Sequence, residues 1–102
     1  MPVNISTQVD GNVATVRLQG KFVFSDHRDF RQAVKAQLEG PCTVLELDFG
    51  GVDYLDSAAL GMLLLAREGA TAAGKTIVLV NCQGTVEQVL AIANFHKLFT
   101  MR

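Results

Sequence analysis

The sequence predicts one α/β domain with a mixed β-sheet of four to five strands, opened by a hairpin, with parallel later strands and about three helices packed on it. Its 102 residues, 49% of them hydrophobic, fit a single domain, since domains usually contain ~100–150 residues. Residues 3–19 look like two strands around a turn, and strand-like and helix-like segments alternate after residue 25. We therefore expect the order β-β-α-β-α-β-α, with one more strand at the end.

The opening segment predicts a hairpin followed by a helix. Asp10-Gly11-Asn12 is the expected turn between the two strands of residues 3–19. Ser25 is the expected N-cap of the first helix, which carries Asp26 and Asp29 in its first turn, near the positive end of the helix dipole. The apolar positions of this helix fall on one stripe, formed by Phe30, Ala33, Val34 and Leu38.

The middle of the chain predicts a strand, a loop and a long helix. Residues 43–49 alternate between apolar and mostly polar side chains, as in a strand with one covered face. Residues 50–55 begin with two glycines and are expected to form a loop. A helix then starts at Asp56 or Ser57 and runs to about Ala73, before a glycine that suits a left-handed cap.

The last part of the chain predicts a buried strand, a helix and an apolar end. Residues 76–80 form a continuous β-branched and aliphatic run, which is typical of an interior parallel strand. Thr85 and Gln88 have the spacing of a capping box, so they are expected to open the third helix. Residues 95–101 suit a last strand or docking against the core.

Charge and hydropathy exclude several partners. With 9 Lys+Arg and 10 Asp+Glu the net charge is −1, so no basic stripe is expected to bind a nucleic acid backbone. The longest apolar run without charge, residues 58–66, is far shorter than the ~20 residues of a spanning helix. The N-terminus lacks the features of a signal peptide. We therefore expect a cytoplasmic protein outside the membrane.

No residue pattern indicates a cofactor or a metal. Cys42 and Cys82 form no C-x-x-C pair, so they are expected to be thiols in a reducing cytosol, each filling a small apolar space beside a strand. No glycine-rich phosphate loop is present. His27 and His96 are expected on the surface or in packing, and the nucleophile elbow of a serine hydrolase is missing. The chain is not expected to be an enzyme.

The segment Asp53–Gly61 is the part of the chain that most suggests a functional site, because it joins a strand to a helix and carries a serine at the junction. Ser57 falls at the helix start, where free N–H groups and the dipole could hold a phosphate. The alternative is that Asp56 or Ser57 only caps the helix.

The helix after Ser57 is more apolar than a surface helix requires. Its apolar side chains, Leu60, Met62, Leu63, Leu64 and Leu65, cover nearly the whole circumference. Either the helix is unusually buried, or its first turns expose an apolar patch for a partner. Gly61 and Gly69 lie inside this helix, which suggests close backbone approach at both points.

The string Asp56-Ser57-Ala58-Ala59-Leu60-Gly61 resembles the Asp-Ser-(Ser/Thr)-Gly-Leu-Gly signature of the STAS domain, as found in bacterial anti-sigma factor antagonists. The similarity covers residues 1–102, with the hairpin, the Leu-Glu-Leu-Asp-Phe strand and the Gly-Lys-Thr-Ile-Val-Leu-Val strand in the expected order. Ala58 stands where the family has a second hydroxyl, which leaves Ser57 as the only acceptor in the motif. Ala59 stands where the family has glycine, which alters how closely a partner backbone can approach.

This resemblance implies a single STAS domain and a partner-switching mechanism. In the family the serine at the position of Ser57 is phosphorylated by an anti-sigma factor of the histidine-kinase-like ATPase type, and a PP2C-type phosphatase removes the phosphate. The unmodified antagonist binds the anti-sigma factor and the phosphorylated form releases it. The resemblance assigns partner binding to Tyr54, Leu55, Ser57, Leu60 and Gly61. It places the phosphate among Asp53, Asp56, Ala58 and Ala59.

Elementary electrostatics is consistent with such a switch. A phosphoserine adds about −1.5 to −2 charges beside Asp53 and Asp56. At roughly 6 Å and an effective dielectric of ~20, two like unit charges repel by about 2–3 kcal/mol. Repulsion within the free protein does not itself release a partner, so the difference must come from burying the phosphate at the interface or from an acidic group on the partner. A second hypothesis from the same resemblance is a constitutive STAS adaptor of a transporter or a larger signalling assembly, in which Ser57 is only a helix cap.

Overall fold

The computed structural model describes residues 3–102. Its elements are β1 (Asn4–Asp10), β2 (Val13–Phe22), α1 (His27–Leu38), β3 (Val44–Leu55), α2 (Ser57–Ala72), β4 (Thr76–Val80), α3 (Gly84–Ile92) and β5 (Thr100–Met101). Short 3-10 turns at Phe24–Asp26 and Phe95–Lys97 precede α1 and β5. The strands form one sheet in chain order, in which β1 and β2 are antiparallel and all later neighbours are parallel. The predicted hairpin, element order and mixed sheet are confirmed.

The two faces of the sheet differ in polarity. The inward side chains of β3 are fully buried and share one apolar cluster with residues of all three helices; examples are Leu45, Leu47, Phe49, Phe30, Leu63 and Leu90. The alternating side chains point to the other face and pair across strands. There the Thr15 hydroxyl donates to Glu46 at 3.1 Å, and Arg17 Nε donates to Asp48 Oδ2 at 3.2 Å. The helices therefore form one layer on the apolar face.

Strand β3 is longer than the sequence predicts, because residues 50–55 continue it instead of forming a loop. These residues pair with the end of β2, with Gly51 opposite Gln19 and Leu55 opposite Phe22. The register shifts twice along this stretch, and a Cβ at Gly51 would lie 2.7 Å from Gln19 Cγ. The glycines thus permit irregular strand pairing at close range. From the sequence alone, the same glycines predict a loop.

The start of α1 also differs from the prediction, since Ser25 is not its N-cap. Ser25 lies inside the preceding 3-10 turn, and α1 begins after Asp26. The carboxylate of Asp26 is 1% exposed and accepts hydrogen bonds from the amides of Val3, at 3.0 Å, and Val23, at 2.9 Å. Asp26 therefore lies at the N-cap of α1, not in its first turn, and its carboxylate joins the N-terminal segment to the end of β2.

The predicted strand at residues 76–80 is confirmed as β4, and Gly74 adopts a left-handed backbone, φ +73°, just after α2. The capping box proposed for α3 is wrong. The helix begins at Gly84 after an N-cap at Gln83, so Thr85 lies inside it and cannot cap it. The apolar end of the chain does both things expected of it, since it buries Phe95 and ends in a short strand beside β4.

Both cysteines are free thiols, as expected. Cys42 is buried, and its thiol donates to the Gln37 carbonyl at 3.1 Å. Burial raises the pKa of the Cys82 thiol to about 11, with further contributions from the charges of Glu87 and Asp48. Across residues 3–102, none of the helices has the length and hydropathy to cross a bilayer. Nor does this part of the chain bring three or more metal-ligating side chains together.

Candidate functional site

The junction between β3 and α2 is organised by Asp56. Its backbone is extended, φ −100° and ψ 177°, and its amide donates to the Phe22 carbonyl at 3.3 Å. One carboxylate oxygen, Oδ1, accepts from the Ala59 amide at 2.8 Å. Asp56 is therefore the N-cap of α2, and of the two residues that the sequence offered for this role Ser57 is not the one used.

The second carboxylate oxygen of Asp56 joins α2 to the turn before α1. Oδ2 accepts from the Phe24 amide at 3.1 Å. The Phe24 side chain is 62% exposed and stacks on His27, with ring centroids 4.9 Å apart and an interplanar angle of 15°. The sequence analysis missed Phe24, because a contact across 32 positions leaves no local signal. An exposed aromatic ring therefore lies beside the start of α2.

Ser57 is exposed at the first helical position. In this first turn, the amides of Asp56 and Ala59 are already bonded. Within residues 3–102, the amides of Ser57 and Ala58 have no hydrogen-bond acceptor. Two N–H donors and the positive end of the helix dipole therefore remain available next to the Ser57 hydroxyl, and both favour an anion.

The other predicted site residues divide by burial. Tyr54 is 48% exposed, Asp53 and Gly61 are exposed, and Leu60 is half-buried. Leu55 is only 6% exposed and belongs to the core cluster, because it pairs with the buried end of β2. Its side chain packs in the core, and its assignment to partner binding stays a prediction. Of the two alanines in the signature, Ala58 is half-buried and Ala59 is fully buried.

The apolar circumference of α2 is partly buried and partly exposed. Met62 and Leu63 are buried, whereas Leu64 is 38% exposed and Leu65 is 67% exposed.

The two glycines of α2 also differ. A Cβ at Gly69 would lie 3.1 Å from Leu38 Cδ1, whereas a Cβ at Gly61 would meet no atom within 4 Å. Close approach of Leu38 thus explains the glycine at position 69. At Gly61 the expectation of close approach within the folded chain is wrong.

A second polar cluster lies on the open face of the sheet around Asp48. Its Oδ1 accepts from the Gly50 amide at 2.8 Å and from Asn81 Nδ2 at 3.1 Å, while Oδ2 accepts from Arg17. Burial raises the pKa of Asp48, but these hydrogen bonds and the charge of Arg17 outweigh it and hold the pKa below its usual range. Asp48 is therefore a structural carboxylate that ties the middle of β3 to Arg17 of β2 and to Asn81, the residue after β4.

Solved structures with the same fold support the architecture described above. An anti-sigma factor antagonist from Mycobacterium paratuberculosis matches with a TM-score of 0.86 and 17% identity, over 97% of this chain and 84% of that one. The Bacillus cell fate determinant SpoIIAA in its phosphorylated form matches with a TM-score of 0.72 and 17% identity, over 98% of this chain and 90% of that one. A sulfate transporter family protein from Wolinella succinogenes matches with a TM-score of 0.76 and 18% identity, over 88% of this chain and 73% of that one. At this level of identity the likeness is one of fold.

Sequence comparison identifies the family. A STAS-domain containing protein of Pseudomonas aeruginosa (strain UCBPP-PA14) is 40% identical over 99 residues, which cover 97% of each chain. The family model described as "Mlab, STAS domain" matches residues 5–100. The chain belongs to the STAS domain family.

Proposed function

We propose that this protein is an anti-sigma factor antagonist whose binding to an anti-sigma factor is switched off by phosphorylation of Ser57. The observation that carries the proposal is the position of Ser57. It is exposed in the first turn of α2, inside the STAS signature, and the capping role that would explain a serine there is filled by Asp56. The Ser57 hydroxyl is thus accessible to a kinase and free of a structural duty.

The surface around Ser57 suits a protein partner in the unmodified state. Exposed aromatic rings of Tyr54 and Phe24 lie on the two chain segments that Asp56 connects to α2, and Gly61 leaves room one turn further along the helix. Aromatic side chains at the centre of an interface supply much of the binding free energy. The absence of a side chain at Gly61 allows a partner backbone to approach α2 closely.

A phosphate at Ser57 changes the charge of this surface sharply. The γ-phosphoryl group of ATP transfers to Oγ, the hydroxyl proton leaves, and ADP is released. The net charge of the chain moves from −1 to roughly −3. The free amides of Ser57 and Ala58 can hold the phosphate in the free protein, whereas a partner would have to bury it next to Asp53 and Asp56. A difference of ~5.5 kcal/mol between the bound and free states reverses a 99:1 equilibrium.

The partners in this proposal are an anti-sigma factor of the histidine-kinase-like ATPase type, which acts as the serine kinase, and a PP2C-type phosphatase. Both act in the cytoplasm. In this scheme the chain is a substrate and a ligand of other proteins, and it controls transcription without contacting DNA. Its near-neutral charge, −1, agrees with that role.

A second candidate is a constitutive STAS adaptor of a transporter. The likeness in fold to a sulfate transporter family protein, with a TM-score of 0.76, favours it. In this case the same exposed surface would bind permanently, and Ser57 would remain unmodified.

Intact-mass measurement after incubation with candidate anti-sigma kinases and ATP separates the two candidates. We expect one added phosphate on the wild type and on Ser6→Ala and Ser25→Ala, but none on Ser57→Ala. These controls remove the other two serines, both of them exposed. We also expect Ser57→Asp to lose binding to the kinase partner while Ser57→Asn keeps it. An unmodified wild type, together with full binding by Ser57→Asp, refutes the switch and supports the adaptor.

A further inference from the structure

Helices α1 and α2 lie side by side and enclose an open groove of about 510 Å³. Its floor is apolar and includes Phe30, Val34, Leu38, Met62, Leu65 and Ala66. Leu65 is 67% exposed, which is high for a large aliphatic side chain on a surface already rich in apolar groups. The groove is therefore an apolar surface without a partner in the folded chain.

One wall of this groove carries two cations and a histidine. His27, Arg31 and Lys35 line it from α1 and follow one another at intervals of four residues, which is a rise of about 6 Å per step. All three are exposed. The ion pairs formed among residues 3–102 are Arg17–Asp48 and Arg102–Glu46, so neither Arg31 nor Lys35 forms an ion pair. The acidic residue in the lining, Glu39, is the C-cap of α1 at the end of the groove, four residues after Lys35.

We infer that the α1–α2 groove binds an amphipathic helix of a partner protein that carries acidic residues along one flank. An apolar floor between two helices accepts the apolar face of a third helix. Acidic residues four positions apart on that helix would match the spacing of Arg31 and Lys35. A single fatty-acyl chain has one anionic group, so it would leave one of the two cations, Arg31 or Lys35, unmatched.

A second copy of this chain fits the groove poorly. Its three helices, α1, α2 and α3, each contain a single acidic residue: Asp29, Glu68 and Glu87. None of them can present a row of acids to the cations. The expected occupant is therefore a different protein.

This inference goes beyond the proposed function, because it holds whether or not Ser57 is phosphorylated. The groove begins at His27, which stacks on Phe24 beside the start of α2. A partner could therefore contact the groove and the Ser57 surface together, but the groove binds through its own apolar floor and cations.

A designed peptide tests the inference directly. The probe is a fluorescein-labelled helix of about 14 residues, about 21 Å long, with leucines on one face and glutamates at four-residue spacing on one flank. Its twin carries lysines instead of the glutamates. We expect the glutamate peptide to bind the full chain in fluorescence anisotropy, at least about tenfold more tightly than the lysine peptide. The binding should weaken with added salt.

Charge reversal in the groove supplies the decisive comparison. The double variant Arg31→Glu/Lys35→Glu should bind the glutamate peptide at least about tenfold more weakly than the wild type does, and it should bind the lysine peptide more tightly than the glutamate peptide. Arg28→Glu is the matched control, because Arg28 is exposed on the same helix but does not line the groove. It should leave binding within about twofold of the wild type. Ser57→Asp should bind the peptide like the wild type, which separates this result from the proposed switch.

Several outcomes would overturn the inference. Equal binding of both peptides, no change on charge reversal, or no binding of the glutamate peptide up to about 1 mM would each do so. Displacement of the peptide by dodecanoate at equal concentration would reassign the groove to an acyl ligand. Dimerisation of the wild type that Arg31→Glu/Lys35→Glu abolishes in sedimentation would reassign it to a second copy. Circular dichroism of each variant confirms that loss of binding is not loss of fold.

Discussion

Replacing Asp56 with alanine removes the N-cap of α2 and its connection to the turn before α1 in a single change. The carboxylate accepts two backbone hydrogen bonds, from Ala59 at 2.8 Å and from Phe24 at 3.1 Å. Loss of an N-cap side chain costs ~0.5–2 kcal/mol. The Phe24 amide lies in an exposed position where water can replace the carboxylate, so its loss adds little. We expect the free energy of unfolding of Asp56→Ala to fall by about 1–2 kcal/mol.

Urea and thermal unfolding measure this effect. For a domain of this size ~1–2 kcal/mol corresponds to a fall of roughly 4–16 °C in Tm. Asp53→Ala is the matched control, because Asp53 is also acidic and exposed but makes no side-chain bond to the start of α2. It should change stability by less than ~0.5 kcal/mol. If Asp56→Ala is as stable as Asp53→Ala, the assignment of Asp56 as the cap of α2 is refuted.

The remaining predictions concern the two glycines of α2 and the buried carboxylate of β3. Gly61→Ala should stabilise the fold by ~0.5–1 kcal/mol in urea, since its Cβ meets open space, yet weaken binding to an anti-sigma partner. Gly69→Ala should raise the free energy of unfolding by less than Gly61→Ala does, because its Cβ would lie 3.1 Å from Leu38 Cδ1. An equal increase in both variants would contradict this packing of α2 against Leu38. The folded pKa of Asp48 lies below its unfolded value, so its contribution to stability is complete above the unfolded pKa of ~3.9 and is lost as the pH falls through the folded pKa. The unfolding free energy of Asp48→Asn should therefore fall less steeply than that of the wild type as the pH is lowered below about 5, and equal slopes count against this role.

Elements with a strong local pattern were predictable from the sequence. The run at residues 76–80 is β-branched and aliphatic without a break, and it forms β4 with the predicted bounds. Helix α2 ends before Gly74, as predicted, because a left-handed residue after a helix is a local requirement that glycine meets. Periodicity and end signals are local properties, so a single sequence carries them.

Long-range contacts account for the elements that the sequence analysis misplaced. Residues 50–55 look like a loop because of their glycines, but pairing with β2 across about thirty positions makes them a strand. Ser25 looks like a cap, yet the buried carboxylate of Asp26 bonds to Val3, 23 positions away. In both cases a contact with a residue distant in the sequence outweighs a local preference. The local sequence does not indicate which distant residue that is.

By itself, the sequence determined the element order, the mixed sheet and the signature around Ser57, since these depend on hydrophobic period and on neighbouring residues. Only the tertiary structure decided that Asp56 caps α2, that Leu55 is core, and that Phe24 lies beside the helix start. The cations of α1 and the apolar side chains of α2 likewise form one groove only because the two helices pack together. Burial and proximity between distant segments arise from the packing of the whole chain, and no local pattern encodes them.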